Sequence, residues 1–178
     1  MDKESIYKEI ASAVEKMAAE GEAALLQKTS ELLQEGLGFW WTGFYIVEEC
    51  AAGWAPLDIG TAPDSVKEEE SEGLPALKGP WMRLGPSVGP PACERIRHGR
   101  GVCGTAWAED RTVIVPDVDA FPGHIACSSE SRSEIVVPVH IDGKVAGVLD
   151  VDSRDLATFD DRDAFWLEKI AATVSGRR

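Results

Sequence analysis

The sequence predicts an α+β fold: a central antiparallel sheet of about six strands, with helices from both chain ends packed on it. Three observations predict it: helical apolar periodicity near the N-terminus, an Asp-Gly turn between two apolar runs, and a capped helical pattern near the C-terminus. The chain has 178 residues, the length of one domain that can bury a core without disulfides. We therefore expect a single domain over residues 1–178.

Two helices are predicted first. Over residues 4–19 the apolar positions Ile6, Ile10, Val14 and Met17 form one stripe of an amphipathic helix. A second helix buries a set of leucines and ends at a glycine pair; the residues are Leu25, Leu26, Leu32, Leu33, Gly36 and Gly38.

Residues 39–47 are aromatic and β-branched, which predicts a central strand. The period of two places Trp41, Gly43 and Tyr45 on one face, and the interior Gly43 indicates a bulge or a close neighbour. For Trp41 and Tyr45 the sequence allows two roles, core packing or a place in a ligand site. From residue 48 to about 80 the periodicity is lost, and an acidic run predicts a long loop insertion that contains Cys50.

The middle of the chain predicts short elements. Strands are expected over 82–84 and 92–96 with a Gly/Pro-rich loop over 85–91 between them, then a helix over 102–108 and a strand over 112–115. The segment 117–133, which carries Cys127, is predicted as a loop.

The clearest pattern is a hairpin of 135–141 and 144–152 around Asp142-Gly143, a type I′ turn sequence. Ideal pairing sets Ile135 opposite Asp150 and leaves Glu134 on the other face. A bulge near Pro138 is needed to bring Glu134 to the same face. The last helix begins at Asp160, a good N-cap.

Composition excludes several function classes. A formal net charge of −13 disfavours nucleic acid as a partner. The sequence shows no apolar run that could cross a bilayer and no secretory signal, so we expect a soluble cytoplasmic protein. Four cysteines are too few for a disulfide scaffold, so a disulfide here is expected to be catalytic.

Chemistry is expected from two groups of side chains. Asp150 and Asp152 are two residues apart on a strand and share a face, so one of them would keep a proton near neutral pH; two ordinary solvated carboxylates are the alternative. The cysteines Cys93, Cys103 and Cys127 lack the spacing of a metal site with His98 and His124, and no metal is predicted. Buried, inert cysteines are a further alternative, although the serine-rich surroundings of Cys127 indicate an accessible thiol.

Several motifs, taken in order, resemble the free methionine-R-sulfoxide reductases, which are single GAF domains. The motifs are Trp41-Thr42-Gly43-Phe44-Tyr45, Gly99 to Thr105 (GRGVCGT), Gly123-His124-Ile125-Ala126-Cys127, Ser133 to Pro138 (SEIVVP) and Gly147 to Asp152 (GVLDVD). The 48–80 loop is longer than is usual in that family.

The resemblance implies reduction of free L-methionine (R)-sulfoxide without a cofactor. Cys127 would attack the sulfoxide sulfur and become a sulfenic acid, Cys93 or Cys103 would close a disulfide, and thioredoxin would reduce it. Glu134, Asp150 and Asp152 would bind the substrate ammonium and supply a proton, with Trp41 and Tyr45 as pocket walls. A non-enzymatic GAF sensor of a small metabolite is the alternative function. The resolving cysteine and homodimer formation are left open. The activation of Cys127 is also open: a cation could provide it, from His124, Arg132 or a helix N-terminus, or the protonated sulfoxide could make the thiol reactive enough without a lowered pKa.

Overall fold

The computed structural model describes residues 2–20, 24–50, 80–124 and 129–176. Within these ranges there are four α-helices: α1 (Lys3–Glu20), α2 (Leu25–Leu37), α3 (Gly101–Glu109) and α4 (Asp161–Val174). The six strands are β1 (Trp41–Val47), β2 (Trp81–Val88), β3 (Arg95–Arg97), β4 (Val113–Val115), β5 (Ser133–Ile141) and β6 (Lys144–Ser153). This confirms the predicted α+β class.

All six strands form one antiparallel sheet in the order β3-β2-β1-β6-β5-β4, so β1 and β6 lie at its centre. One face is covered by α1, α2 and α4, and the main apolar core lies beneath them. The opposite face carries α3 and a second apolar cluster. The second face is the one that holds the candidate site.

The central strand β1 is buried on both faces, as its continuous apolar sequence predicts. Phe44 and Ile46 point into the core under the three long helices, whereas Trp41 and Tyr45 point toward α3. Gly43 sits between these two aromatic residues, where an added Cβ would lie 2.5 Å from the Trp41 ring and from Ser87 Cβ. The predicted close approach at Gly43 is therefore confirmed.

The β5–β6 hairpin contains the bulge that the sequence required. His140 pairs with Val145 but Val139 pairs with Gly147, so Ala146 is an extra residue in β6. Beyond this bulge Glu134 lies opposite Asp152, whereas ideal pairing would have put Ile135 opposite Asp150. The bulge lies close to the predicted place at Pro138, and it moves Glu134 onto the face that carries both aspartates.

The predicted loop over 85–91 is partly wrong, because β2 continues through Gly85 and Pro86 to Val88. Gly43 pairs with Ser87 and Tyr45 pairs with Leu84, which leaves an extra residue in β2 at Gly85-Pro86. Proline has no N–H for the ladder and is tolerated at a bulge. Strand β3 is also shorter than the predicted 92–96 and covers only Arg95–Arg97.

The helix ends follow the sequence signals. Gly38 closes α2 in the left-handed conformation with φ 71°. Asp160 caps α4, where it and Asp163 form a reciprocal capping box. The buried Asp163 carboxylate also accepts a hydrogen bond from Tyr7 at 2.7 Å and pairs with Lys3 at 2.6 Å. These contacts join α1 to α4.

Two predictions fall largely outside the described residues. Of the 48–80 insertion only Glu48–Cys50 and Pro80 are described, and Glu48 forms an ion pair with Arg95 at 2.7 Å. Cys127 also lies outside the described residues. None of the helices in the described part of the chain is both long and apolar enough to span a membrane.

Candidate active site

A pocket opens on the α3 face of the sheet, and six of the eight predicted site residues line it. They are Trp41, Tyr45, Cys103, Glu134, Asp150 and Asp152. The other lining residues are Pro91, Ala92, Ile96, Arg100, Gly101, Val102, His124 and Ser131. The residues come from four strands, from α3 and from the segments beside them.

Three carboxyl groups lie side by side at the bottom of the pocket. Glu134 on β5 is the cross-strand partner of Asp152 on β6, and Asp150 follows on the same face. Glu134 and Asp150 are 7% and 6% exposed. Burial first, and then repulsion from the neighbouring carboxyl groups, raises the pKa of Glu134 and of Asp150 well above their usual values. Their protonated forms are therefore favoured compared with those of exposed carboxyl groups.

Asp152 lies nearer the pocket mouth and is only partly buried. Burial raises its pKa to about 6, although a hydrogen bond from the Ser131 hydroxyl opposes that rise. With a pKa of about 6, Asp152 is mostly ionised at neutral pH. The pocket therefore combines this carboxylate with two buried carboxyl groups whose protonated forms are favoured by their raised pKa values.

Cys103 lies in the first turn of α3 against this carboxyl cluster. Its thiol donates a long hydrogen bond of 3.9 Å to Glu134 Oε1, and its side chain is buried. Burial first, and then the nearby Asp150 and Glu134, raises the pKa of the Cys103 thiol well above its usual value. Because the thiolate is the nucleophilic form, Cys103 is a poor nucleophile in this setting.

The cysteines fall into two states in this structure. Cys93, which immediately follows the pocket-lining Ala92, is disulfide-bonded. Cys50 and Cys103 are free thiols. The carboxyl cluster therefore has a reduced thiol beside it even while Cys93 is oxidised.

Trp41 and Tyr45 stack with ring centroids 6.1 Å apart and form one wall of the pocket. Both are buried, so the packing role and the pocket role hold together. Trp41 Nε1 donates to the carbonyl of Pro90 at 3.1 Å, and Tyr45 Oη donates to the carbonyl of Cys93 at 3.0 Å. The two aromatic residues thereby position the backbone that leads into Cys93.

The histidines do not assemble with the cysteines in the part of the chain that the structure describes. His98 packs edge-on against Trp107 with a centroid distance of 4.6 Å, and it is absent from the pocket lining, whereas His124 lines the pocket. The described group with ligand atoms close enough for a metal ion is Cys103, Glu134 and Asp150. This set shares Cys103 with the cysteines and histidines considered as metal ligands, for which no metal was predicted.

Sequence reasoning missed two lining residues, Arg100 and Ser131. Arg100 precedes α3, between Gly99 and Gly101, which have φ values of 71° and 63°. The glycine pair predicts a tight turn here, but the sequence did not reveal that this turn brings a cation to a helix N-terminus in the pocket. Of the cations considered to offset the acidic cluster, His124 lines the pocket, whereas Arg132 is exposed and absent from the lining.

Comparison with known proteins gives a consistent result. The GAF domain family model matches residues 22–177. GAF domain-containing protein A of Dictyostelium discoideum is 44% identical over 147 residues, which are 83% of this chain and 75% of that protein. Free methionine-R-sulfoxide reductase of Escherichia coli is 36% identical over 152 residues, which are 85% of this chain and 74% of that protein.

A solved structure of a named reductase is also similar to this chain. The free methionine-R-sulfoxide reductase of Neisseria meningitidis, in complex with its substrate, is 41% identical with a TM-score of 0.78 and covers 98% of this chain and 89% of that chain.

Proposed function

Because the chain belongs to the GAF domain family and, within it, to the free methionine-R-sulfoxide reductases, we propose that it reduces free methionine (R)-sulfoxide by a cysteine disulfide cycle. The observation that carries this mechanism is the cluster of Glu134, Asp150 and Asp152, whose two buried members have raised pKa values, in a pocket lined by the neighbour of the disulfide-bonded Cys93. Sulfoxide reduction needs both features: a proton donor for the departing oxygen and a thiol pair that can be oxidised.

The first step is attack by the Cys127 sulfur on the sulfoxide sulfur. The sulfoxide S–O bond breaks, the oxygen ends on Cys127 as a sulfenic acid, and methionine leaves. Glu134 or Asp150 protonates the sulfoxide oxygen as negative charge grows on it. Protonation of the oxygen makes the sulfur more electrophilic, which compensates for the low thiolate fraction of a cysteine near carboxylates.

The second step assigns Cys93 as the resolving cysteine. Its thiol attacks the sulfenic sulfur of Cys127, so that a disulfide forms and water is released. Two observations support Cys93 over Cys103: Cys93 is the one that is disulfide-bonded, and Cys103 is a buried free thiol with a raised pKa. A dithiol protein such as thioredoxin, the reductant that a cytoplasmic enzyme would meet, then reduces the disulfide by exchange.

The pocket suits a free amino acid. Asp152 and the deeper carboxyl groups offer acceptors for an α-ammonium group, and Trp41 and Tyr45 form an apolar wall for the methyl thioether. Arg100 and the N-terminus of α3 line the same pocket and are suited to the α-carboxylate. A methionine sulfoxide residue inside a peptide has neither a free α-ammonium nor a free α-carboxylate group, so it lacks both interactions.

The test separates chemistry from recycling. Methionine formation is followed without thioredoxin in a single-turnover reaction, and NADPH oxidation is followed with thioredoxin and its reductase. Cys93→Ser should form one methionine per chain but fail to turn over with thioredoxin. Cys103→Ser, the matched control, should turn over repeatedly. Cys127→Ser should form no methionine, and repeated turnover by Cys93→Ser would refute the assignment.

A further inference from the structure

The bottom of the pocket brings together three side chains of a kind that bind metal ions. One ligand atom each of Cys103, Glu134 and Asp150 lies within 4.8 Å of the others, and all three residues are buried. They come from α3, β5 and β6. Because a helix and two central strands hold them, the ligands are positioned by the fold rather than by a loop.

One carboxylate oxygen in this group has no hydrogen-bond partner. Asp150 Oδ1 is buried without a partner, although its residue is only 6% exposed. Buried oxygens are almost always paired, so this oxygen calls for a cation or a donor. This observation is separate from the ligand spacing and points to an occupant.

We propose that Cys103, Glu134 and Asp150 form a binding site for Zn²⁺, and that the bound ion competes with methionine sulfoxide. The thiol determines the choice of metal. Mg²⁺ and Ca²⁺ take oxygen ligands in shells of six or more, whereas Zn²⁺ accepts thiolate and carboxylate ligands in a tetrahedral site. The open pocket above the trio supplies water as the fourth ligand.

Binding exchanges protons for the metal ion. The Cys103 proton and the protons held by the two carboxyl groups pass to solvent, and the three anionic ligands then face a divalent cation. No electron transfer takes place, so the ion stays Zn²⁺ and Cys103 stays a thiolate. The ion would occupy the place that the proposed function gives to the substrate ammonium and to the transferable proton.

The site has a distinctive dependence on redox state. Cys103 is free while Cys93 is disulfide-bonded, so all three ligands are present in the oxidised protein. A zinc site built from the redox-active thiols would instead disappear on oxidation. Zinc binding to the oxidised chain therefore distinguishes the proposed trio from adventitious capture by a reduced thiol pair.

The experiment titrates the oxidised full-length protein with Zn²⁺ by calorimetry, and with Co²⁺ by absorbance. We expect one ion per chain and a thiolate-to-cobalt charge-transfer band. Cys103→Ala and Glu134→Gln should each weaken Zn²⁺ binding at least about a hundredfold. Loss of a residue that only hydrogen-bonds to a metal ligand costs up to about that much in affinity, and these two residues are themselves ligands in the proposed site. Cys50→Ala, the matched control at a cysteine outside the trio, should bind like wild type. Circular dichroism confirms that each variant is folded.

Three results would overturn the proposal: no binding to the oxidised wild type, binding that appears only after reduction, or wild-type affinity in Cys103→Ala and Glu134→Gln. The competition rests on the proposed function and is tested separately, since Zn²⁺ should raise KM for methionine sulfoxide without lowering kcat. Zinc binding by a chain that reduces no sulfoxide would refute the proposed function and support the metal site.

Discussion

The sharpest test of the proton-donor role is Glu134→Gln. The substitution keeps the shape of the side chain and its capacity for hydrogen bonding but removes the transferable proton. Glu134 is 7% exposed and faces Asp152 across the strand pair, and its pKa is raised well above its usual value, which favours its protonated form.

The expected loss follows from what a general acid contributes. Removing one typically costs about a hundred- to ten-thousand-fold in rate, which is roughly 3 to 5 kcal/mol of barrier. Folding should not suffer in parallel, because a neutral amide avoids the free-energy cost of keeping a buried carboxyl group protonated above its ordinary pKa. A large loss of kcat with unchanged or higher stability is thus the signature, and Asp150→Asn should show it too.

The assay is single-turnover formation of methionine by the reduced enzyme, measured from pH 5 to 9. The wild-type rate should fall on the alkaline side as the cluster loses its proton, and Glu134→Gln should change that limb. Asp161→Asn, at an exposed residue in the first turn of α4, is the matched control and should behave as wild type. If Glu134→Gln and Asp150→Asn both kept most of the wild-type rate over this range, acid catalysis by the cluster would be refuted.

Three further predictions concern pH, packing and substrate. The pKa of Asp152 is about 6 in the folded protein, against an ordinary value of 3.8, so the folded state resists ionisation of this carboxyl group. The free energy of unfolding is therefore higher at low pH and falls as pH rises through 6. Asp152→Asn should therefore be more stable than wild type to urea at pH 8, by up to about 3 kcal/mol, and equal near pH 4; a constant difference would contradict this. Tyr7→Phe should lower the free energy of unfolding by about 1 to 2 kcal/mol, since it removes a 2.7 Å hydrogen bond to buried Asp163. An unchanged urea midpoint would show that Lys3 and the Asp160 N–H satisfy that carboxylate without Tyr7. An acetylated, amidated methionine sulfoxide should lose about ten- to a hundredfold in kcat/KM because it has no ammonium group, and equal rates on both substrates would exclude recognition of the free amino acid.

The sequence was most informative where one local pattern decides the structure. The Asp142-Gly143 turn, the Asp160 cap and the two faces of β1 were all predicted and are confirmed. The need for a bulge in the hairpin was also predicted, from the requirement that Glu134 reach the aspartates. The position of the extra residue at Ala146 was not predicted, because it depends on how the two paired strands bend together.

The sequence was least informative where tertiary contacts override local signals. Gly85 and Pro86 are typical of a loop, yet pairing with β1 holds them inside β2. Arg100 lies inside the GRGVCGT motif but was not predicted as a site residue, and Ser131 has no motif of its own. Each joins the pocket through a neighbour, Arg100 through α3 and Ser131 through its bond to Asp152. The disulfide state of Cys93 likewise depends on spatial proximity, which spacing along the chain does not reveal.

Because Gly43 has no side chain, the Trp41 ring has room to lie over this part of β1. The Trp41 indole lies over the space above this glycine, at the point where β1 runs beside Asp150. Even a methyl group there would collide with the ring and with Ser87 Cβ. Residues 41 and 43 are therefore coupled in size, so a protein of this fold with a bulkier residue at 43 would need a smaller one at 41 to keep room for an amino acid. Reading these two positions together would separate members of this fold that can admit methionine sulfoxide from those that have closed the pocket.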